Sequence, residues 1–371
     1  FRTEKKNESR DAARAAFHDY YWSAAIGFDT IFRTSGTFEF MRAQVRRVVP
    51  GEHSIILDDG RKIRYDWLVV AMGSQTHYFD IPHLEQNATG FKSIEEVLNI
   101  RYRIDELFLS APKHKKITVV VGGGGFTGCE FAAELAGYMK KLAQTHKHPI
   151  ANWACIVVEA GHGVLGASSK WAQEKARRRL AHLGVTVLLD SPIVDVWPNL
   201  LYIGPDKKTL PFDLLVWTAG VKGACPGDII DGIALSKKNC VPVSPSLRVA
   251  PYDNVFTVGD IAATVNPQTK IPMAMTAQKA VHEGAYVARS ITQLIKNKQA
   301  KLKAYVPKES RYIIPLGGKY ALLEAGRVRM SGPIVWLLKY AVLFKYLITI
   351  LPIHTSLAIT LHEMRLYTRN D

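Results

Sequence analysis

The sequence predicts an α/β fold in which buried parallel strands end at glycine turns. Residues 117–121 form an apolar, β-branched run, which four glycines and a helix-like segment, FTGCEFAAEL, follow. Two Asp-led apolar strands, 65–73 and 212–220, each end at a glycine and form a weak internal repeat. Strands that pass through a glycine turn into a helix are the units of dinucleotide-binding sheets.

The glycine-rich loop after the first of these strands fits G-x-G-x-x-G at Gly123, Gly125 and Gly128. Gly123 permits a tight turn, Gly125 lets backbone N–H groups approach a pyrophosphate, and Gly128 lets the helix pack closely on the strand. The amino terminus of the following helix places partial positive charge toward phosphate. The loop therefore predicts a dinucleotide site.

The next strand, 155–158, ends in an acid, Glu159. A carboxylate at this place accepts hydrogen bonds from ribose hydroxyls and repels a 2′-phosphate. The residues that follow are AGHG, without an arginine, so we expect NADH rather than NADPH. The alternative is an exposed charge at a strand end. The interval between loop and acid is long, which predicts an extended helix or loop between them.

Glu130 follows Gly128 by two residues, and we expect it to point toward the nicotinamide end of the site. Glu134 lies one helical turn later on the same face, where a solvated charge is the simpler interpretation.

A second acid follows a glycine in NVFTVGDIA, residues 254–262. The strand VFTV ends at Gly259 and Asp260, and a carboxylate there accepts hydrogen bonds from ribityl or ribose hydroxyls. Downstream of Pro272 comes a helix-like run with Ala277 and Gln278 near its start. Small residues there would let a flat ring lie against the helix amino terminus.

Four segments, in order along the chain, carry a resemblance to one family: VVVGGGGFTGCEFAAEL, VWTAGV, VFTVGDIA and TAQKAVHEG. Together they resemble type II NADH dehydrogenases, the single-subunit NADH:quinone oxidoreductases, from about residue 29 to the carboxyl terminus. The resemblance implies two Rossmann-like dinucleotide-binding domains, an FAD domain split by an inserted NADH domain. The implied division is 1–92 and 223–298 for FAD, 93–222 for NADH, and 299–371 for a membrane-associated region.

The resemblance also implies roles for individual residues. It implies noncovalent FAD, hydride transfer from NADH to the flavin, and two-electron reduction of a quinone. The sequence shows no multi-span segment that would suggest proton pumping, so we expect none. Asp260 matches the FAD-binding acid, Ala277 and Gln278 the pair beside the isoalloxazine and the quinone, and Glu130 the helix glutamate near the nicotinamide. Lys319 matches a lysine that approaches the flavin, with a surface lysine as the alternative. Gly73, Gly220 and Gly259, which end three strands, complete the expected cofactor contacts.

Two features depart from the family pattern. An FAD domain of this kind opens with its own strand and glycine motif, and none precedes residue 122. The FAD pyrophosphate site is therefore incomplete in this sequence. We expect either that upstream residues are missing, which the start at Phe1 favours, or that the chain cannot hold FAD normally. The second glutamine of the family helix is His282 here, which can still hydrogen-bond a quinone and titrates near neutral pH.

The composition leaves further alternatives open. The net charge of +15 favours an anionic partner, either lipid or nucleic acid, but without a recognised nucleic-acid motif we expect no nucleic-acid partner. A basic nucleic-acid-binding or FAD-deficient paralogue stays an alternative. Four cysteines without a CxxC pair predict a reducing compartment. A sulfide:quinone or disulfide-type reductase that uses Cys129 or Cys225 is the closer rival.

The carboxyl-terminal segment, about 331–371, is predicted to be an amphipathic helical membrane anchor. Between Ser331 and Pro352 the charged residues are Lys339 and Lys345, and no uninterrupted apolar run reaches the roughly 20 residues of a spanning helix. We expect interfacial helices with Trp336, Tyr340 and Tyr346 near the headgroups. A core helix pair or a homodimer interface is the alternative. The expected location is the cytoplasmic face of a bacterial inner membrane, or the mitochondrial inner membrane.

Overall fold

The computed structural model describes residues 31, 38–227, 229–307 and 311–368. The chain divides into two compact units. Unit 1 comprises 1–41, 104–191 and 311–371, and unit 2 comprises 42–103 and 192–310.

Both units contain many short strands. In chain order they are β1 Val45–Val49, β2 Ser54–Leu57, β3 Lys62–Arg64, β4 Leu68–Val70, β5 Ser74–Thr76, β6 Thr89–Gly90, β7 Ile117–Gly122, β8 Trp153–Val158, β9 Val185–Leu188, β10 Ile193–Trp197, β11 Leu200–Ile203, β12 Lys208–Pro211, β13 Leu214–Trp217, β14 Val221–Gly223, β15 Val241–Pro242, β16 Val255–Thr257, β17 Ala262–Ala263, β18 Arg311–Pro315, β19 Ala321–Ala325 and β20 Val328–Gly332.

The helices of the described residues differ widely in length. They are α1 Leu84–Asn87, α2 Ile94–Ser110, α3 Phe126–Thr145, α4 Lys170–His182, α5 Ala277–Lys296, α6 Pro333–Leu347 and α7 Ile353–Thr368, with 3-10 turns at Pro50–Glu52, Ile150–Asn152 and Gly259–Ile261. Their start sites follow local rules: Ser169 and Thr276 accept backbone hydrogen bonds at the starts of α4 and α5, and Pro333 opens α6.

The predicted strand–turn–helix is the centre of unit 1. Strands β7, β8 and β9 pair in parallel, with Val121 opposite Val157 and Val157 opposite Val187. Five of the six residues of β7 are buried, as expected for a strand covered on both faces. Helix α3 packs on β8 through small residues, among them the buried Ala132 and Ala136. Small side chains bring the helix close to the sheet.

The carboxyl-terminal part of unit 1 is an antiparallel meander covered by two helices. Strands β18, β19 and β20 pair in order, and α6 packs on β19 and on α7. Trp336 and Tyr340 lie edge-to-face, with ring centroids 5.0 Å apart, and are buried with Ala321 and Val335. The expectation that these two aromatic residues face lipid headgroups is therefore wrong. Because α6 is apolar on nearly all sides, its sequence does not reveal which side packs inward.

Unit 2 contains the parallel pairs β4–β16, β6–β13 and β15–β17, together with two antiparallel meanders, β1–β2–β3 and β10–β11–β12. Strands β5 and β14 form a further antiparallel pair. A buried aliphatic cluster that includes Val70, Val241, Val255 and Ile261 joins β4, β15 and β16. Each of β4 and β16 is followed by a glycine with positive φ, Gly73 and Gly259 respectively.

Among the described residues, no helix combines the length and the apolar character that crossing a bilayer requires. Both units combine helices with Rossmann-like parallel strands, as predicted for an α/β fold.

Two glycine substitutions test the packing with opposite expected signs. A Cβ at Gly223 would collide with the Asn239 carbonyl oxygen and approach Ile261 Cδ1 to 2.9 Å, so Gly223→Ala should lower the free energy of unfolding by about 1–3 kcal/mol. Gly137 lies within α3 with open space around its Cβ position, so Gly137→Ala should raise it by about 0.5–1 kcal/mol. Denaturant unfolding measures both, and equal effects would contradict this packing.

Candidate functional site

The glycine turn of unit 1 is built by backbone geometry. Gly123 adopts a φ of 109°, which side-chain-bearing residues rarely adopt, and its N–H donates to the Val158 carbonyl oxygen at 2.8 Å. Gly125 precedes the first residue of α3, and a Cβ there would meet open space. Gly128 is buried in the first turn of α3. The turn therefore leaves room beside Gly125 at a helix amino terminus, where phosphate oxygens bind well.

Glu159 directly follows β8, and its carboxylate holds two loops. Its Oε2 accepts a hydrogen bond from Gly124 N at 2.6 Å, and its Oε1 accepts one from Gly161 N at 2.7 Å. A Cβ on Gly124 would lie 3.1 Å from Glu159 Oε2 and 3.1 Å from Val164 Cγ1. Gly124, which the motif does not require, is thus needed for close approach of the carboxylate. Each oxygen retains a lone pair for a further donor, such as a ribose hydroxyl.

Glu130 is partly buried on α3, and its environment favours the neutral acid. Burial raises the pKa of its carboxyl to about 7, Glu134 raises it further, and the positive charge of Lys339 opposes both. The pKa of Lys339 on α6 is lowered by burial, which Glu130, Glu363 and Glu134 partly offset. Lys339, a lysine within an apolar helix, was visible in the sequence. Its proximity to Glu130 of α3 could not be predicted, because the two residues lie far apart along the chain.

Lys319 is exposed at the end of a turn that α4 holds in place. Gly317 and Gly318 have φ values of 71° and 59°, and a Cβ on Gly317 would lie 2.9 Å from the Ala133 carbonyl oxygen. Arg179 donates from Nε to Leu316 O at 3.0 Å and from Nη2 to Gly317 O at 2.7 Å. Sequence patterns did not identify Arg179, since its partners are backbone carbonyls far along the chain.

In unit 2 the second predicted acid lies at the end of β16. Gly259 has a φ of 76°, and Asp260 Oδ2 accepts a hydrogen bond from Ser74 Oγ at 2.6 Å. Lys92 Nζ lies 3.6 Å from the same oxygen. Gly73, with a φ of 72°, follows β4 and has open space at its Cβ position. Ser74 and Lys92 complete the polar surroundings of Asp260, and neither was singled out from the sequence.

Gly220 has a different local reason to lack a side chain. A Cβ there would collide with the ring of Phe79, whose ring centroid lies 4.1 Å from that of His77. Trp217 Nε1 donates to the His77 carbonyl oxygen at 2.8 Å and fixes the same loop. Packing within unit 2 thus accounts for Gly220, and its contact with a cofactor stays a prediction.

Helix α5 presents two different faces. Ala277 and Gln278 are exposed in its first turn, and His282 lies one turn beyond Gln278 on the same side. Lys279 and Glu283 are buried on the other side. The structure therefore brings together Gln278 and His282, the two residues that the resemblance assigns to the quinone.

All four cysteines are free and buried. Burial raises the pKa of the Cys129 and Cys155 thiols to about 12 and that of Cys225 to about 11. Cys129 Sγ also donates to the Gly124 carbonyl oxygen at 3.2 Å. These three thiols are protonated near neutral pH, whereas redox cysteines react as thiolates.

Comparison with known proteins shows which proteins this chain resembles. The chain is 28% identical over 278 residues to a type II NADH:quinone oxidoreductase of Haemophilus influenzae, covering 69% of this chain and 62% of that protein. It is 31% identical over 301 residues to one of Mycobacterium tuberculosis, covering 76% and 64%. The chain thus spans less than two thirds of either relative. The resemblance stated from the sequence is confirmed.

The fold is similar to that of solved structures at low sequence identity. NDH2 of Plasmodium falciparum, solved in complex with NADH, superposes with a TM-score of 0.77 at 18% identity, covering 89% of this chain and 84% of that one. The family model for pyridine nucleotide-disulphide oxidoreductases matches residues 4–284, about three quarters of the chain. The chain therefore belongs to the pyridine nucleotide-disulphide oxidoreductase family.

Proposed function

We propose that this chain binds FAD and NADH and transfers electrons from NADH through the flavin to a membrane quinone, without pumping protons. One observation carries the proposal: each unit has an acid, Glu159 or Asp260, beside a glycine turn at the carboxyl end of a parallel strand. Ligands of doubly wound sheets bind at this edge. The relatives' names supply the electron donor and acceptor.

In unit 1 the residues fit NADH. The space beside Gly125 suits a pyrophosphate, and the remaining lone pairs of Glu159 suit the adenosine ribose. A 2′-phosphate would meet the negative charge of Glu159, which supports NADH over NADPH. Glu130, one helical turn into α3, would lie toward the nicotinamide.

In unit 2 the residues fit the hydroxylated chain of FAD. Asp260 has one carboxylate oxygen engaged by Ser74 and Lys92, and Oδ1 is available as an acceptor for a hydroxyl. Gly73 and Gly259 add open space and a left-handed turn beside it. Ala277, at the start of α5, offers a small surface for a flat ring.

Bound FAD would supply the hydride and electron chemistry, and the chain supplies binding, orientation and proton positions. Glu130, with a carboxyl pKa of about 7, holds a proton at its carboxyl oxygen in about half of the molecules near neutral pH. Gln278 and His282 would hydrogen-bond the quinone, and Lys319 would contribute positive charge near the flavin.

The apolar face of α6 and α7 supports peripheral membrane attachment. Its exposed side chains are Ile334, Leu337, Leu338, Val342 and Tyr346 in α6, and Ile353, Leu357 and Leu361 in α7. An exposed apolar surface of this kind fits helices that lie in a membrane interface. The membrane would be a bacterial inner membrane at its cytoplasmic face, or the mitochondrial inner membrane. A homodimer interface is the other use of this face.

The sulfide:quinone or disulfide-type alternative is less well supported. It requires a reactive thiolate, and burial holds the Cys129 and Cys225 thiols in the protonated state near neutral pH.

Asp260→Ala tests the flavin site. Loss of a charged acceptor should weaken FAD binding by the apoprotein at least about tenfold and lower FAD-dependent NADH:quinone activity in parallel. Titration of flavin fluorescence measures the affinity. Asp253→Ala removes an exposed carboxylate that pairs with Arg248 in the same unit, and it should leave binding unchanged. Equal FAD affinity in both variants would remove Asp260 from the site.

Glu130→Gln tests the raised carboxyl pKa. The unfolded chain releases this proton near the ordinary pKa of 4.5, whereas the folded chain keeps it up to a pKa of about 7. Between these values rising pH favours unfolding of the wild type, and the variant lacks this term. The variant should therefore gain stability relative to wild type across this window, with a constant difference above it.

Urea unfolding from about pH 5 to about pH 8 measures the effect. Glu174→Gln is the control, because Arg177 and Arg178 lower the pKa of its carboxyl to about 2, so its difference from wild type should not change in this range. A flat difference for Glu130→Gln as well would mean that its carboxyl titrates normally.

The double variant Leu337→Glu/Leu357→Glu tests the apolar face. Both side chains are about half exposed, at 55% and 50%, and each leucine buried in lipid contributes about 1.5–3 kcal/mol. Co-sedimentation with anionic phospholipid vesicles should weaken by at least about tenfold. The control Ile295→Glu changes a side chain of unit 2 that is 65% exposed, and it should leave vesicle co-sedimentation unchanged. A changed molecular mass with unchanged vesicle binding would identify a dimer interface instead.

A further inference from the structure

Helix α5 carries a buried ion pair one turn apart. Lys279 is 4% exposed and Glu283 is not exposed at all, and Lys279 Nζ lies 3.5 Å from Glu283 Oε1. Burying two charges costs more free energy than their attraction returns unless further hydrogen bonds satisfy both groups. The remaining polar partners of the pair therefore indicate what the pair holds.

The remaining side-chain hydrogen bonds of this pair all end on one short segment, residues 259–264. Lys279 Nζ donates to the carbonyl oxygens of Gly259 at 2.8 Å and Ala262 at 3.3 Å. Glu283 Oε2 accepts from Gly259 N at 2.7 Å, and its Oε1 accepts from the Thr264 hydroxyl at 2.8 Å. The pair thus binds both ends of the turn and both backbone groups of Gly259.

Gly259 is the position of this segment that requires a glycine. Its φ of 76° is one that only glycine adopts readily, and a Cβ there would lie 3.5 Å from Ala280 Cβ. The next residue is Asp260, whose carboxylate is held on its other side by Ser74 and Lys92. The ion pair fixes the backbone of Asp260, while Ser74 and Lys92 orient its side chain.

The same pair also connects two elements assigned to different parts of the flavin. Asp260 is assigned to the hydroxylated chain, and Ala277 and Gln278, in the same helical turn as Lys279, are assigned to the ring. Rigid support of this kind holds contacting residues in productive geometry.

We infer that Lys279 and Glu283 are positioning residues, which hold the turn with Asp260 at a fixed distance from the start of α5 so that both contact one flavin. The inference rests on the proposed FAD site in unit 2. Neither side chain touches the cofactor, since both are buried behind the turn.

Two variants separate positioning from general stability. Lys279→Met leaves Glu283 as a buried carboxylate without its cation, so it should lower the melting temperature and weaken FAD binding. Lys279→Met/Glu283→Gln removes both charges, and its melting temperature should return close to the wild-type value. The double variant still lacks the donor to the Gly259 and Ala262 carbonyl oxygens. Its FAD affinity should therefore remain at least about tenfold below wild type.

Three measurements on apoprotein and FAD-titrated protein test whether the pair positions Asp260. They are the melting temperature, the FAD dissociation constant, and hydrogen–deuterium exchange of peptides covering 259–264. The expected result for the double variant is near-wild-type melting, faster exchange of this segment without FAD, and weaker FAD binding. Arg47→Met breaks an exposed ion pair with Asp231 in the same unit and should leave all three unchanged.

Two results would overturn the inference. If the double variant binds FAD as tightly as wild type, or if affinity recovers together with melting temperature, the pair stabilises the fold without positioning Asp260. Wild-type protein that binds no FAD would instead defeat the proposed site and the inference together. Wild-type affinity measured first distinguishes the two failures.

Discussion

The unit 1 site depends on the hydrogen bonds between the Glu159 carboxylate and the amides of Gly124 and Gly161. This contact requires a loop without side chains, since a Cβ on Gly124 would crowd the carboxylate. It also requires that β7 and β8 end at the same edge, which their parallel pairing ensures. Glu159, the glycine turn and the start of α3 therefore depend on one another. A ribose suits the carboxylate, and a pyrophosphate suits the start of the helix.

In unit 2 a different set of groups holds the acid in place. Its acid, Asp260, follows a left-handed glycine, but Ser74 and Lys92 hold the carboxylate, and a buried ion pair of α5 holds the backbone. Buried charge pairs seldom add stability, so their presence is better explained by the geometry that they fix. In both units a carboxylate is oriented by hydrogen-bond donors, with lone pairs left for hydroxyl groups.

The parts predicted from the sequence are those set by local patterns. The β-branched run and the glycine turn predicted the strand–turn–helix, whereas Gln278 and His282 were paired through the family resemblance. What the sequence did not reveal depends on contacts between distant segments. Lys279 and Glu283 fit the pattern of a solvated helix pair, and Trp336 and Tyr340 fit a lipid-facing helix, yet tertiary packing buries all four.

We propose that one chain passes electrons from NADH through FAD to a quinone. The decisive measurement is an anaerobic titration of the FAD-loaded protein with NADH, followed by the visible absorbance of the oxidised flavin. We expect the flavin band to bleach with about one NADH per flavin and to return when a soluble quinone is added. A flavin band that NADH leaves unchanged, in protein that binds both molecules, would contradict it.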